Sequence, residues 1–495
     1  MKTRLKHLFL LPALVASLGL IPARQIAAQT FTTLYSFTNG NDGANPYGIP
    51  YGVVLAGHTL YGTTTYGGDP GDGTVFAVNT DGAGFTTLYS FSATDPSAGT
   101  NEDGAEPNGL ILSGNTLYGT ATVGGTAGNG TVFSLNLDGT GFTTLYNFSA
   151  TDPNTGVNTD GAQPFADVIL SGDTLFGTTT YGGESGNGTV FAVNTDGTGF
   201  AVLHTFSATD ANTGFNTDGA VPYAELTVSG GTLFGTGTYG GAAGNGTVFA
   251  LNTNGTRFTT LYNFSALDPS ESTNSDGAYP NGVILSGATL YGTANAGGNF
   301  GNGTVFAVNT NGADFTSLHN FSETNDITGV NGDGADPLVG LILSRDTLFG
   351  TSAGGGGSGN GTIFAVNTNG TDFTTLYSFT APDPNTGINS DGANPEAGLI
   401  LSGDTLYSTA YGGGGSGYGT VFSLSFAPIL TIIPSGTNVV LTWPTNVAGF
   451  TLQSTTNLAS ATVWNAVSPP PVVVNSRNTV TNRSSVTARF YRLIL

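Results

Sequence analysis

The sequence predicts an all-β protein: a seven-bladed β-propeller of four-stranded blades, closed by its own N-terminal strand and followed by a small C-terminal β-sandwich. Three observations carry this expectation. One block of residues recurs seven times, beginning at Phe31, Phe85, Phe142, Phe200, Phe258, Phe315 and Phe373, at steps of 54 to 58 residues, and a unit of that length buries a core only by packing on its neighbours. Each block holds four short runs rich in β-branched or aromatic residues and bordered by Gly, Asn or Asp, with no 3.6-residue amphipathic period. The end blocks are incomplete in complementary ways: the chain opens on a lone fourth-type run at 31–37, and its last block stops after a third-type run at 419–424. Joined, the two fragments make one blade and leave no unpaired edge.

Residues 1–28 have the form of a secretory signal peptide. Lys2, Arg4 and Lys6 precede an apolar run at 8–21, and the small residues Ala27 and Ala28 end the segment. That run is too short for a comfortable membrane span, and no later stretch approaches eighteen apolar residues. The expectation is a secreted, extracellular or cell-surface protein with no transmembrane segment in the mature chain. Cysteine is absent, which excludes disulfides, thiolate metal sites and cysteine nucleophiles.

Residues 29–426 are expected to form the propeller. In the second block the four runs are A (110–112), B (116–120), C (130–135) and D (142–148), with tight links at 113–115 and 137–141. Run B carries Thr-Leu-Tyr/Phe-Gly-Thr. A glycine inside a strand implies close approach of a ring or a backbone, so Gly62, Gly119, Gly177, Gly235, Gly292 and Gly350 are expected to receive a neighbour's ring, with Ser408 in the seventh copy. Run C carries Gly-Thr-Val-Phe, whose alternation sends Val and Phe to opposite blade faces. Residues 427–495 change grammar, with Leu441-Thr442-Trp443, Val463-Trp464 and Phe490-Tyr491-Arg492-Leu493 among short strands separated by turns, the pattern of a small β-sandwich.

The ordered elements Phe-Thr-Thr-Leu-Tyr-Ser-Phe, Asp-Gly-Ala-x-Pro, Leu-Ile-Leu-Ser-Gly-x-Thr-Leu-Tyr-Gly-Thr, Gly-Gly and Gly-Thr-Val-Phe resemble the GloVer tandem repeats of exported bacterial proteins, over roughly 31–424. The Leu-Thr-Trp-Pro and Phe-Tyr-Arg-Leu segments of the tail resemble a fibronectin type III-like module. The resemblance implies a secreted or surface-attached β-propeller and supplies no activity.

All 32 acidic residues lie between Asp42 and Asp404, alongside only two basic ones, Arg257 and Arg345, so the repeat region carries a formal charge of −30. Such a surface repels nucleic acid and anionic polysaccharide and attracts cations and basic partners. In a blade ordered A to D, the D-to-A and B-to-C loops emerge on one face, and here that face holds all the long loops, where binding concentrates.

Four groups of candidates stand on these loops. Asp152, Asn154, Asn158 and Asp160, copied as Asp383, Asn385, Asn389 and Asp391, alternate hard oxygen donors before a glycine, a pattern that can wrap Ca²⁺ but equally caps turns. Tyr66, Tyr181, Tyr239 and Tyr411 can stack on a ligand. The aspartates of Asp-Gly-Ala-x-Pro (Asp42, Asp103, Asp160, Asp218, Asp276, Asp333, Asp391) would form a ring near the channel mouth, but their sameness in every copy argues for turn capping over catalysis. Glu225, Glu271 and Glu396 each occur in one blade and are the candidates for an extracellular glycoside-active enzyme. His204 and His319 occupy the Tyr slot of run D and are expected to be packed ring substitutes. The leading expectation is a monomeric binding scaffold with no catalytic residue. Its ligand would be a neutral glycan, a cation-bridged ligand or a basic protein, held on the long-loop face; a structural matrix or surface component is a further alternative.

Overall fold

The computed structural model describes residues 29–47, 52–426, 430–444, 450–456, 464–474, 477–483 and 489–494. The signal peptide expected at 1–28 lies outside them. The described residues contain strands and turns, with no helix long and apolar enough to cross a membrane. The chain divides into two units, one spanning Thr30–Ser425 and the other containing Phe426–Leu495.

The larger unit is a propeller of seven four-stranded antiparallel sheets. Blade 1 runs A to D as Val54–Ala56, Thr59–Thr64, Thr74–Asn79 and Thr86–Ser90. Blades 2 to 6 repeat that order. In blade 7 the strands Ile400–Ser402, Thr405–Ala410 and Thr420–Phe426 are completed on the outside by Gln29–Ser36. The join is specific: Phe37 N–H donates to Gly419 O at 3.1 Å, and Phe31 stacks on Tyr377 at 4.0 Å. The A strands of consecutive blades approach one another around the axis, and D is the outer strand.

The core lies between blades. Val75 packs with Leu110 and Phe133 of blade 2, whereas Phe76, the next residue, packs with Val421 of blade 7. A strand alternates its faces every residue, so one dipeptide serves two interfaces. The strand-B glycines admit a ring, and the ring comes from the paired C strand of the same blade. A Cβ on Gly177 would stand 2.6 Å from Phe191 Cζ, and one on Gly62 would stand 2.6 Å from Phe76 Cζ. Residues 177 and 191 are directly paired across the ladder.

Around the outer rim, the Tyr or His of each D strand stacks on the Phe that opens the next block, with ring centroids 3.5 to 4.0 Å apart for all seven pairs. His204 lies on Phe258 and His319 on Phe373 in this ladder. Offset ring stacking of this kind adds roughly 0.5–1.5 kcal/mol per pair beyond burial.

The C-terminal unit has a four-stranded sheet, ordered Thr431–Ser435, Asn438–Pro444, Arg477–Arg483, Val472–Val474, and a three-stranded one, ordered Asn465–Ala466, Thr451–Thr455, Phe490–Ile494. Buried Leu441, Trp443 and Val480 from the first pack with Leu452 from the second.

Candidate functional site

Each D-to-A loop is built on Asp-Gly-Ala-x-Pro, and the hydrogen bonds show why. Asp160 Oδ2 accepts from Tyr146 Oη at 2.8 Å and from Ser149 N–H at 2.9 Å, while Oδ1 accepts from Ser149 Oγ. Gly161 follows at φ +100°, where a Cβ would fall 2.1 Å from Thr179 Oγ1, so only glycine fits. Asp391 is held the same way by Tyr377 and Thr380. On the loops leading into blades 4 and 6 the ring donor, from the D strand of the preceding blade, is a histidine, with His204 Nε2 3.0 Å from Asp218 and His319 Nε2 2.9 Å from Asp333. Burial pushes these two carboxyls up, but the hydrogen bonds from His204 and Ser207, and from His319 and Ser322, outweigh it and hold both below the usual carboxylate range. The expectation of a carboxylate ring at the channel mouth is therefore corrected. These aspartates anchor to the outer strand, because the Tyr or His that reads them belongs to D.

The other oxygen-rich loop residues are also engaged with their own loops. Asp152 Oδ1 accepts from the N–H groups of Asn154 and Thr155, both at 2.9 Å, closing a turn, and Asp383 does so with Asn385 and Thr386, both at 3.0 Å. Asn158 Nδ2 donates to Ser149 O and Gly161 O, while its Oδ1 accepts from Gly161 N–H and Gly183 N–H. It thereby ties the D-to-A loop to the B-to-C loop, and Asn389 repeats the arrangement. Among the described residues no three His, Asp or Glu side chains converge as a metal-binding group.

Past the proline the loops turn toward the axis, and there the blades differ. The residue after Pro is Tyr47, Asn108, Phe165, Tyr223, Asn281, Leu338 and Glu396 in blades 1 to 7. Asn108 Nδ2 donates to Pro164 O at 2.9 Å and Asn281 Nδ2 to Pro337 O at 2.7 Å, each bridging to the following blade. The apolar members meet: Tyr47 and Phe165 lie edge to face at 5.8 Å, and Phe165 stacks on Tyr223 at 4.2 Å. Leu338 joins them over Ala224 and Val339. Contact between blades 1, 3, 4 and 6 requires these side chains to cross the axis. Glu396 lies beside this cluster, its carboxyl pushed up to about 7 by burial, and its charge acts on Tyr47, Tyr223 and Tyr411.

Tyr66, Tyr181 and Tyr239 open their B-to-C loops at one structural station, bridged through the backbone to Ala44, Ala162 and Ala220. They are 42 %, 48 % and 47 % exposed. Tyr239 lies 5.1 Å from Tyr279 and within electrostatic reach of Tyr181. Tyr411 occupies a different station, since Gly412 makes the equivalent bridge with Ala393. Its ring instead approaches Tyr47 at 6.3 Å, and its hydroxyl is pushed up by burial, then by Tyr66, Glu396 and Glu106. Of the glutamates, Glu225 is buried, Glu396 is half-buried at the mouth, and Glu271 stands exposed in a turn where its N–H donates to Asp268.

Four overlapping stretches, 17–216, 97–273, 156–332 and 212–422, match the Gloeobacter/Verrucomicrobia repeat. The chain belongs to that family. No curated protein matches this repeat protein. Among solved structures it is similar to an oligogalacturonate lyase from Vibrio parahaemolyticus, at 9 % identity and TM-score 0.46 over 80 % of this chain and 93 % of that one. It is also similar to a puromycin-hydrolysing peptidase from Mycobacterium tuberculosis, at 13 % identity and TM-score 0.46 over 83 % and 60 %, and to TolB from Acinetobacter baumannii, at 13 % identity and TM-score 0.35 over 60 % and 58 %.

In this Gloeobacter/Verrucomicrobia repeat protein, the motifs singled out Glu396 from the station after the proline but not the station as a site. It is legible as the place where seven otherwise similar copies carry five different residues.

Proposed function

We propose that this protein is an exported binding scaffold that takes a neutral glycan at the axial mouth of its long-loop face. The observation that carries the reading is the half-exposure of Tyr66, Tyr181 and Tyr239 at one station around a mouth floored by Tyr47, Phe165 and Tyr223. Aromatic faces pack against the apolar faces of sugar rings, and the acceptors Glu106 and Glu396 suit sugar hydroxyls. The repeat region's charge of −30 disfavours an anionic ligand.

Calorimetry against a panel of neutral oligosaccharides tests this. The triple variant Tyr66→Ala, Tyr181→Ala, Tyr239→Ala is expected to lose at least about tenfold in affinity, or roughly 1.4 kcal/mol. Equal binding by that variant overturns the reading, and binding confined to basic proteins at low salt assigns the face to a protein partner instead. Glu396, a carboxyl raised to about 7, supports a second reading as a general acid of glycoside cleavage. Release of reducing ends that Glu396→Gln abolishes would establish it.

A further inference from the structure

The register of strands A and B aligns one position in every blade, immediately before the residue opposite the strand-B glycine. It is Gly52, Gly109, Asp167, Glu225, Gly282, Gly340 and Gly398. Five blades carry glycine there and two neighbouring blades carry carboxylates. The glycines leave the space that the carboxylates fill. A Cβ on Gly109 would meet Asp167 Oδ2 at 2.4 Å, and Cβ atoms on Gly282 and Gly340 would meet Glu225 oxygens at 2.5 and 2.8 Å. Glu225 belongs to blade 4 and Gly340 to blade 6, so its carboxylate reaches across the axis, beneath the cluster of Tyr47, Phe165 and Tyr223.

Asp167 is fully buried and Glu225 is 5 % exposed, yet Asp167 Oδ1 and Oδ2 and Glu225 Oε2 have no hydrogen-bond partner. A second, independent observation points to the same place. The strand-B threonines Thr63, Thr120, Thr178, Thr293 and Thr351 each donate to the carbonyl just before this ring position in the next blade, at 2.7 to 3.3 Å. The two remaining copies, Thr236 and Thr409, have unpartnered buried hydroxyls; Thr409 faces Gly52, and Thr236 faces Asn281 and Gly282, where the Glu225 carboxylate lies.

We propose that Asp167 and Glu225 hold a hard divalent cation of the Ca²⁺ class on the propeller axis. Two buried, unpaired carboxylates are untenable as bare anions: burial raises both toward the protonated form when no cation is bound, and one divalent ion would neutralise both by displacing those protons. The donors there are carboxylate, hydroxyl and backbone carbonyl oxygens, with no thiol anywhere in the chain, the set that selects Ca²⁺ over softer metals. The site goes beyond the glycan reading and does not depend on it.

The full mature chain, stripped with EDTA and dialysed, is titrated with CaCl₂ and MgCl₂ by calorimetry and thermal melting, with metal content measured by mass spectrometry. The expected result is about one Ca²⁺ per chain and a melting temperature higher by about 5 °C or more at 1 mM Ca²⁺. The double variant Asp167→Asn, Glu225→Gln is expected to lose that response, and the loop variant Asp152→Ala, Asp383→Ala to keep it. Absence of bound Ca²⁺ in the wild type overturns the proposal whether or not the double variant folds, as does a response lost in the loop variant and kept in the double variant. Glycan affinity reads the tyrosines and metal content reads the axis, so either proposal can fail alone.

Discussion

Glu396 and Asp160 are carboxylates one loop motif apart in kind, and their surroundings divide their roles. Asp160 is fully hydrogen-bonded by Tyr146 and Ser149, a structural cap present in all seven copies. Glu396 has no counterpart in other blades and is raised to about 7 by burial among aromatic rings. An unfolded glutamate ionises near its ordinary 4.5, whereas the folded one keeps its proton until about 7. The folded state therefore binds more protons in that window, and this residue's contribution to stability is full below 4.5, falls as pH rises to 7, and is flat above. Glu396→Gln is expected to remove this dependence, so that the stability difference between variant and wild type grows between pH 4.5 and 7 by roughly 1–3 kcal/mol in the variant's favour. Urea unfolding at pH 4.5, 6 and 8 measures it, and a constant difference would count against the buried setting of Glu396. The aspartate caps were legible in the sequence from their repetition. The protonation of Glu396 was not, because it follows from burial, which the folded ring supplies and no local motif records.

At the scale of the element, strand B shows how one glycine sets a blade interface. Gly177 is opposite Phe191, whose ring occupies the volume a Cβ would take, and Phe191 in turn packs on Phe148 and Leu175. Gly177→Ala is expected to destabilise the propeller by roughly 1–3 kcal/mol, because the ring must leave its rotamer in a close-packed layer. Chemical denaturation reads the effect, and an unchanged midpoint would mean that Phe191 yields freely. The sequence exposed this constraint through the recurring glycine, while the identity of the ring needed the register. Loop elements divide in the same way. The turns at Asp152 and Asp383 follow from local hydrogen bonds to the next two or three residues, whereas the link from Asn158 to Gly183 crosses 25 residues.

For the whole molecule, closure rests on Gln29–Ser36 pairing with Thr420–Phe426, residues at opposite ends of the repeat region. Removing 29–37 is expected to expose the Thr420–Phe426 edge and to uncover Val421 and Phe422. The result should be aggregation on size exclusion and a melting temperature lower by roughly 10 °C, since open edges recruit other chains. Grafting the same segment after Phe426 through a flexible linker should restore a monodisperse peak. If deletion leaves both readings unchanged, the ring closes without this strand.

The period, the strand types, the blade count and the incomplete end blocks were determined by the sequence alone, because each depends on residues a few positions apart or on whole copies compared with one another. The tertiary structure decided what meets on the axis. Tyr47, Phe165, Tyr223 and Glu396 come from four blades, and Asp167 and Glu225 are ordinary loop acids until closure buries them against the glycines of blades 2, 5 and 6. A repeat is read locally, but the axis of a propeller is the one place every repeat shares, and only closing the ring brings its residues within reach of one another.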